Sequence, residues 1–353
     1  MANRDDHETI KITLDDLAKV TVPEVAPRPI LPAAPGSRSY GTVADAADQA
    51  PAVSEERGSI LLQGWFYLGL AGLLAATLGW AICEPGFVDG QGLNHWGNIW
   101  LVPLSIALMC VGFGIAESIV ERSGKKAVIR GALSLALGIV LGFVFYFIAN
   151  IIFSIGLSMC ASLGVQTIRN PAFWITRGIA WMVFGAAGGI VYGIVGQSAK
   201  KGKYGVLGGI IGAGIGGTLF DPIVILTGGA APSRAVGFAL VGLATGLGMG
   251  IVESALKDRW LYVTSGPLAG KQFILYKAQT IIGSEQKSDI YLFKDSTILP
   301  QHALIEITGA RVLLRAGGSV YVAGNPVQSR VLQDGDLLQI GRYAFRYKEK
   351  SRS

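Results

Sequence analysis

Charge is scarce in this sequence: only 15% of its 353 residues are Asp, Glu, Lys or Arg, and the mean hydropathy of +0.47 is too apolar for a chain built of soluble domains alone. Cysteine and histidine are scarcer still. The three cysteines, Cys83, Cys110 and Cys160, fall in or beside apolar segments without paired spacing, and the three histidines are His7, His95 and His302. That excludes a disulfide framework and a zinc set, and predicts buried free thiols with no metal and no cofactor. There is no Ser/His/Asp order and no carboxylate pair on a soluble cleft, so an enzyme is not expected. The string "GAGIGG" at Gly212 lies inside an apolar run and follows no strand, which excludes a phosphate loop. Nor does the net charge of +6 point to nucleic acid, because many of the basic residues sit in short connections between apolar runs.

What is abundant is uncharged length. Six windows of about 20 residues or more, near 61–83, 100–120, 127–152, 173–196, 204–226 and 234–256, can each cross roughly 30 Å of hydrocarbon. After the third, "NIIFSIGLSMCASLGV" either extends the helix or lies in the interface. Before the first, residues 1–58 open on a polar stretch, "MANRDDHETIKITLDDLAKV", without a secretory signal, and continue rich in Pro, Ala and acidic residues. They read as a disordered cytosolic tail. The expected organisation is tail 1–58, transmembrane helical domain 59–257 and β domain 258–353.

Orientation follows from the basic residues. Arg122, Lys125, Lys126 and Arg130 join spans two and three, Lys200, Lys201 and Lys203 join four and five, and Lys257 and Arg259 follow six. All fall on one side of a six-span arrangement, against the dissent of Arg169, Arg177 and Arg234. The positive-inside rule places both termini in the cytosol of a cell that carries the chain, multi-pass, in its plasma membrane.

The spans also repeat. A shift of 74 positions superposes Lys126 on Lys200, Gly131 on Gly205, Gly138 on Gly212 and Gly142 on Gly216. Gly185, Gly189 and Gly193 of the fourth span match Gly242, Gly246 and Gly250 of the sixth. Glycine at every fourth position makes a stripe along which helices approach closely, within one chain or in a homo-oligomer. Glu117 and Glu253 occupy equivalent places near the cytosolic ends of their helices. They form either an intramembrane proton or cation site or interfacial pairs, Glu253 with Lys257 and Glu117 with Arg122 or Lys125; the pairs are the preferred reading. Asp221, grouped with Glu117 and Glu253 as a candidate intramembrane polar site, is expected at the depth of Arg177 and Arg234, where an ion pair is preferred over a substrate site.

From Trp260 the period changes to alternating short strands, "WLYVTS", "KQFILY", "HALIEIT", "RVLLRA", "SVYVAG", "DLLQIG" and "YAFRYK", with Gly-Pro, Gly-Gly and Asp-Gly-Asp turns between. The order "SGPLAGKQFIL", "TIIGS", "SDIYL", "HALIEI", "VYVAG", "LQDGDLLQIG" resembles a forkhead-associated (FHA) domain. The resemblance implies an all-β sandwich that takes phosphothreonine peptides at its apical loops. It also implies that the phosphate-facing positions are changed: Ser284 stands for the first Arg, Leu299 for the Ser, Pro300 for the next Arg, and Gly318, followed by Ser319, near the Asn. His302 matches its family position as a loop brace. Lys271, Lys287, Lys294, Arg315 and Arg342 are the alternative phosphate contacts.

The function expected is therefore an integral membrane protein presenting a cytosolic FHA-like interaction module, a signalling or scaffold adaptor with weak or no phosphothreonine dependence. Its partners are the lipid bilayer and a cytosolic protein or peptide, the "KITLDD" segment of its own tail being one candidate. The alternative is a small transporter or channel formed by the Gly-rich bundle and regulated by the FHA-like domain.

Overall fold

The computed structural model describes residues 58–91, 94–165, 167–228 and 230–350, so the "KITLDD" segment lies outside the described residues. Among the described residues, six helices are long and apolar enough to cross a membrane. They are α1 (Gly64–Cys83), α2 (Trp96–Val120), α3 (Gly124–Ser162), α4 (Pro171–Val195), α5 (Ala199–Thr227) and α6 (Ala230–Leu256).

Their ends explain where the sequence reading of the spans needs correction. The helix α3 runs unbroken to Ser162, because no proline interrupts the apolar run after residue 152; the segment in question extends the helix. Ser198 accepts a hydrogen bond from the Lys201 N–H and starts α5 at Ala199, a common N-cap. Lys200, Lys201 and Lys203 thus stand in the first turns of a helix and not in a loop, and Lys125, Lys126 and Arg130 do the same in α3. Asn170 caps α4 ahead of Pro171.

The helices form a closed ring. Each packs on its neighbours in sequence, α1 also packs on α6, and α2 reaches across to α4. Phe113 of α2 fills the middle, fully buried, beside Gly72 and Gly188. The glycine stripes are the contact lines. Gly185, Gly189 and Gly193 of α4 abut the backbone of α5 at Gly209, Val206 and Gly202, and Gly242, Gly246 and Gly250 of α6 abut α1 at Gly72, Leu68 and Trp65. A Cβ at any of these six would strike main chain, so the helices pack closer than any other residue permits. At the end of the bundle away from the β domain, Arg177 donates from Nε to both carboxylate oxygens of Asp221 at 2.9 and 3.0 Å. Arg234 turns instead to Glu84 and Asp89. Cys83, Cys110 and Cys160 are buried and free.

The β domain is a sandwich of eleven strands: β1 (Arg259–Ser265), β2 (Gln272–Ile274), β3 (Gln279–Gly283), β4 (Ile290–Tyr291), β5 (Ala303–Thr308), β6 (Arg311–Ala316), β7 (Val320–Val322), β8 (Asn325–Pro326), β9 (Ser329–Val331), β10 (Leu337–Ile340) and β11 (Tyr343–Glu349). One sheet runs β2-β1-β11-β10-β7-β8, the other β4-β3-β5-β6-β9. Alternate residues, among them Leu261, Val263, Ile282, Ile305, Leu314, Leu338 and Phe345, point inward and form the core. Tyr343 ties the rim to it: its hydroxyl donates to the Phe293 carbonyl at 2.6 Å and accepts from the Phe293 N–H at 3.1 Å.

Candidate functional site: the bundle–sandwich junction and the apical loops

The end of the bundle that carries the basic first turns of α3 and α5 is covered by the β1–β2 turn and by β2 through β4. The C-terminus of α2 is met there by a cation from the sandwich. Lys271 Nζ donates to Glu121 Oε1 at 2.7 Å, and the two side chains are 1% and 3% exposed. Lys126 stands 3.8 Å from the same carboxylate. A positive charge at a helix C-terminus also answers the unpaired carbonyls there.

Glu117, one turn earlier on α2, accepts from Lys201 of α5 at 2.8 Å and from Arg130 of α3 at 3.2 Å. Glu253 of α6 accepts from the Tyr192 hydroxyl of α4 at 3.0 Å and from the Tyr276 hydroxyl of the sandwich at 2.5 Å. Burial, with the Glu253 charge next in weight, pushes the Tyr276 hydroxyl far above its ordinary range. It therefore stays protonated and donates. Glu117, Arg130, Lys201, Glu253 and Tyr276 share one cavity of about 100 Å³ that Tyr67 and Gln63 also line. Glu117 and Glu253, matched by the internal pattern, thus come together, but through partners other than those expected. Lys257 turns to Gln272 and the face of Trp260, and burial, partly offset by Glu253, lowers its pKa. Arg122 lies over Phe293, and neither it nor Lys125 pairs with Glu117. Asp221, at the far end, takes no part.

Further contacts fix the seat. Lys200 pairs with Asp258, Lys277 Nζ lies 3.4 Å from Gln197 Oε1, and Gln63 donates to the Gly270 carbonyl at 2.9 Å. Five helices, α2 to α6, and the β1–β2 and β2–β3 connections of the sandwich contribute charged or phenolic groups to one buried network, which requires nearly every group to be paired for its desolvation to be offset. What this arrangement does chemically is hold two domains in one orientation.

The apical loops lie beside the junction. Ser284 spends its hydroxyl on the Ile298 carbonyl at 2.7 Å and its N–H on the Leu299 carbonyl at 2.9 Å. His302 is buried, its Nδ1 accepting from the Leu299 N–H at 3.0 Å and its Nε2 donating to the Ser319 carbonyl at 3.1 Å, so one ring bridges two loops. Its imidazole lies where a side chain on Gly318 would be. Leu299 is 46% exposed, and Pro300 and Ser319 are exposed beside it. Of the basic residues weighed as phosphate contacts, Lys271 is consumed by Glu121, Arg315 pairs with Glu306 and Lys287 with Glu285. Sequence reasoning missed Glu121, Tyr192, Lys201 and Tyr276 as site residues. The signal available was a charge or phenol at the end of an apolar span, which costs free energy unless it is paired.

Residues 262–351 match the family described as "Inner membrane component of T3SS, cytoplasmic domain", and no family covers the helices. The glycogen accumulation regulator GarA of Mycolicibacterium smegmatis is 38% identical over 86 residues, 24% of this chain and 54% of that protein. The oxoglutarate dehydrogenase inhibitor of Corynebacterium efficiens is 38% identical over 86 residues, 24% of this chain and 60% of its own length. This chain therefore spans little more than half the length of these curated relatives. Among solved structures, the FHA domain of the CT664 protein from Chlamydia trachomatis is 27% identical, with 27% of this chain and 100% of that chain covered at a TM-score of 0.25. The C-terminal region matches an FHA-type domain, a class of protein-interaction or signalling module.

Proposed function

We propose that this chain is a multi-pass membrane protein that holds an FHA-like interaction module on the cytosolic side of the plasma membrane, locked in one orientation against the bundle. The observation that carries it is the buried Lys271–Glu121 pair together with the Tyr276–Glu253 bond, since both cross from sandwich to bundle. A module joined by a linker alone has no use for such contacts. The pattern of basic residues supports the orientation, and the meeting of α3 glycines with α2 (Gly138 at Ala107, Gly142 at Pro103) and of α5 glycines with α6 (Gly212 at Ala244, Gly216 at Val241) supports an internal duplication.

The apical surface acts as a docking face for a cytosolic protein with weak or no phosphothreonine dependence. Leu299 and Pro300 offer apolar contact where donors are needed, and Ser284 has both of its donors engaged within the loop. Hydrogen bonds to a charged group are worth about 1.5 to 3 kcal/mol each, so the loss of two or three lowers phosphate affinity by several powers of ten. The test is fluorescence anisotropy of matched phosphothreonine and threonine peptides, the "KITLDD" segment included, against the full-length chain in nanodiscs. Equal binding of both forms supports the reading, and binding confined to the phosphorylated form defeats it.

A transporter regulated by the sandwich is the second reading, and the convergence of Glu117 and Glu253 on one cavity favours it. Cation flux in proteoliposomes that disappears in Glu117→Gln plus Glu253→Gln would establish it; absence of flux in the parent chain removes it.

A further inference from the structure

Two concavities outside the buried cavity of the junction adjoin at the start of α5. The first is an apolar groove of about 620 Å³ between the end of α4 and the first turns of α5, walled by Ile190, Ile194, Val206, Leu207 and Ile210. Gly193 meets Gly202 at its floor. The missing side chains make the groove deep, and because each of these glycines already faces the other, the stripe is not a vacant seat for a further helix. Lys203 also lines this groove and is exposed; among the described residues no acidic group pairs with it. The second concavity is a cleft of about 710 Å³ between α5 and the sandwich, lined by Lys200, Arg259, Lys277 and Lys350 with Asp258 and Glu349. The two meet where Lys277 of the cleft reaches Gln197 of the groove.

An apolar slot on the flank of a membrane bundle thus leads into a polar cleft; of the five basic residues the two hold, Lys200 pairs with Asp258, Arg259 with Glu349 and Lys277 with Asp289, which leaves Lys203 and Lys350 as the surplus of positive charge. We propose that this pair of concavities seats one anionic phospholipid, an acyl chain in the α4–α5 groove and its phosphate among Lys203 and the lysines of the cleft beneath the sandwich. The inference rests on the membrane reading above. The orientation proposed there puts the site in the cytoplasmic leaflet, where anionic lipids lie and where basic pockets between helices capture their headgroups. A zwitterionic lipid fills the same slot but carries no net charge for the surplus of cations. Seated so, the lipid touches bundle and sandwich together and becomes part of what joins them.

Native mass spectrometry of the full-length chain in detergent, offered phosphatidylglycerol and phosphatidylcholine in equal amounts, tests this. The expected result is retention of phosphatidylglycerol about tenfold over phosphatidylcholine. Lys203→Glu should lower that retention by about fivefold or more, the weight of one basic residue near an anionic surface. Lys125→Glu should not, because Lys125 is exposed at the same end and lines neither concavity. No preference in the parent chain overturns the proposal, as does equal loss in both variants, which marks diffuse attraction to the surface. An alkaline wash of reconstituted vesicles separates the two readings: a chain that washes off defeats the membrane reading and this one with it. A chain that stays, with retention indifferent to Lys203→Glu, defeats the lipid seat alone.

Discussion

Lys271 and Glu121 stand 150 positions apart in the chain and form an ion pair at 2.7 Å from which solvent is almost wholly excluded. Removing one member of such a pair leaves a buried, uncompensated charge, at a typical cost of about 3–5 kcal/mol, whereas replacing both by apolar groups of similar volume is often neutral. Lys271→Ala should therefore lower the thermal midpoint of the full-length protein markedly, and Lys271→Met with Glu121→Leu should recover most of the loss. A double variant as unstable as the single one would mean that the damage is local to the β1–β2 turn.

Tyr276→Phe removes the only bond from the sandwich to Glu253 among the described residues while leaving Tyr192 in place. The loss of a hydrogen bond to a charged acceptor, about 1.5 to 3 kcal/mol, should speed amide exchange around β2 without unfolding the sandwich core. Exchange unchanged at residues 272–277 would show that the phenol does not hold the domains together.

Tyr343→Phe strips both the N–H and the carbonyl of Phe293 of their partner and should cost about 1–3 kcal/mol of domain stability. The same residue sets an alkaline limit. Burial pushes its hydroxyl up to about 12, above the ordinary value near 10. The unfolded chain loses this proton first, so the contribution is complete below about pH 10 and falls away as pH rises toward 12. Chemical denaturation between pH 9 and 11 should show a slope that shrinks in the Phe variant.

His302 joins the Leu299 and Ser319 loops through opposite ring nitrogens, and Gly318 leaves room for that ring. Gly318→Ala should drive a methyl group into the imidazole and lower stability by about 1–3 kcal/mol, with peptide binding at the apical face lost in parallel. If binding survives intact, that face is not where partners dock.

Restoring the phosphate-facing groups offers a gain-of-function check. Ser284→Arg with Leu299→Ser and Pro300→Arg should raise the preference for a phosphothreonine peptide over its threonine form by at least about tenfold, the value of one additional charged hydrogen bond. A variant that folds and still ignores phosphate would show that the missing contacts are not what silences the loops.

The spans were readable because the thickness of a bilayer and the rise of a helix fix their length, and the strands because inward and outward residues alternate, as in Arg259–Ser265. The matched positions of Glu117 and Glu253 pointed to a shared place. Their partners were not readable. Sequence exposes pairs three or four residues apart, and so suggests Lys257 for Glu253; the actual donors lie 61 and 23 residues away, and the Lys201 that meets Glu117 lies 84 away. In the sequence Lys271 stood only as one of five alternative phosphate contacts. Only the seating of the sandwich on α2 sets it against Glu121 and removes it from solvent.

The contact between α1 and α6 orders the making of the protein in time. During synthesis α1 leaves the ribosome first, and the backbone at Leu68 and Gly72 waits for Gly246 and Gly242, which are made last among the helices. The sandwich follows α6 directly, so Lys271 is available to Glu121 only after all six helices have been made. A copy that stops after α5 would leave the flank of α1 unclosed and the Glu121 carboxylate without the sandwich lysine.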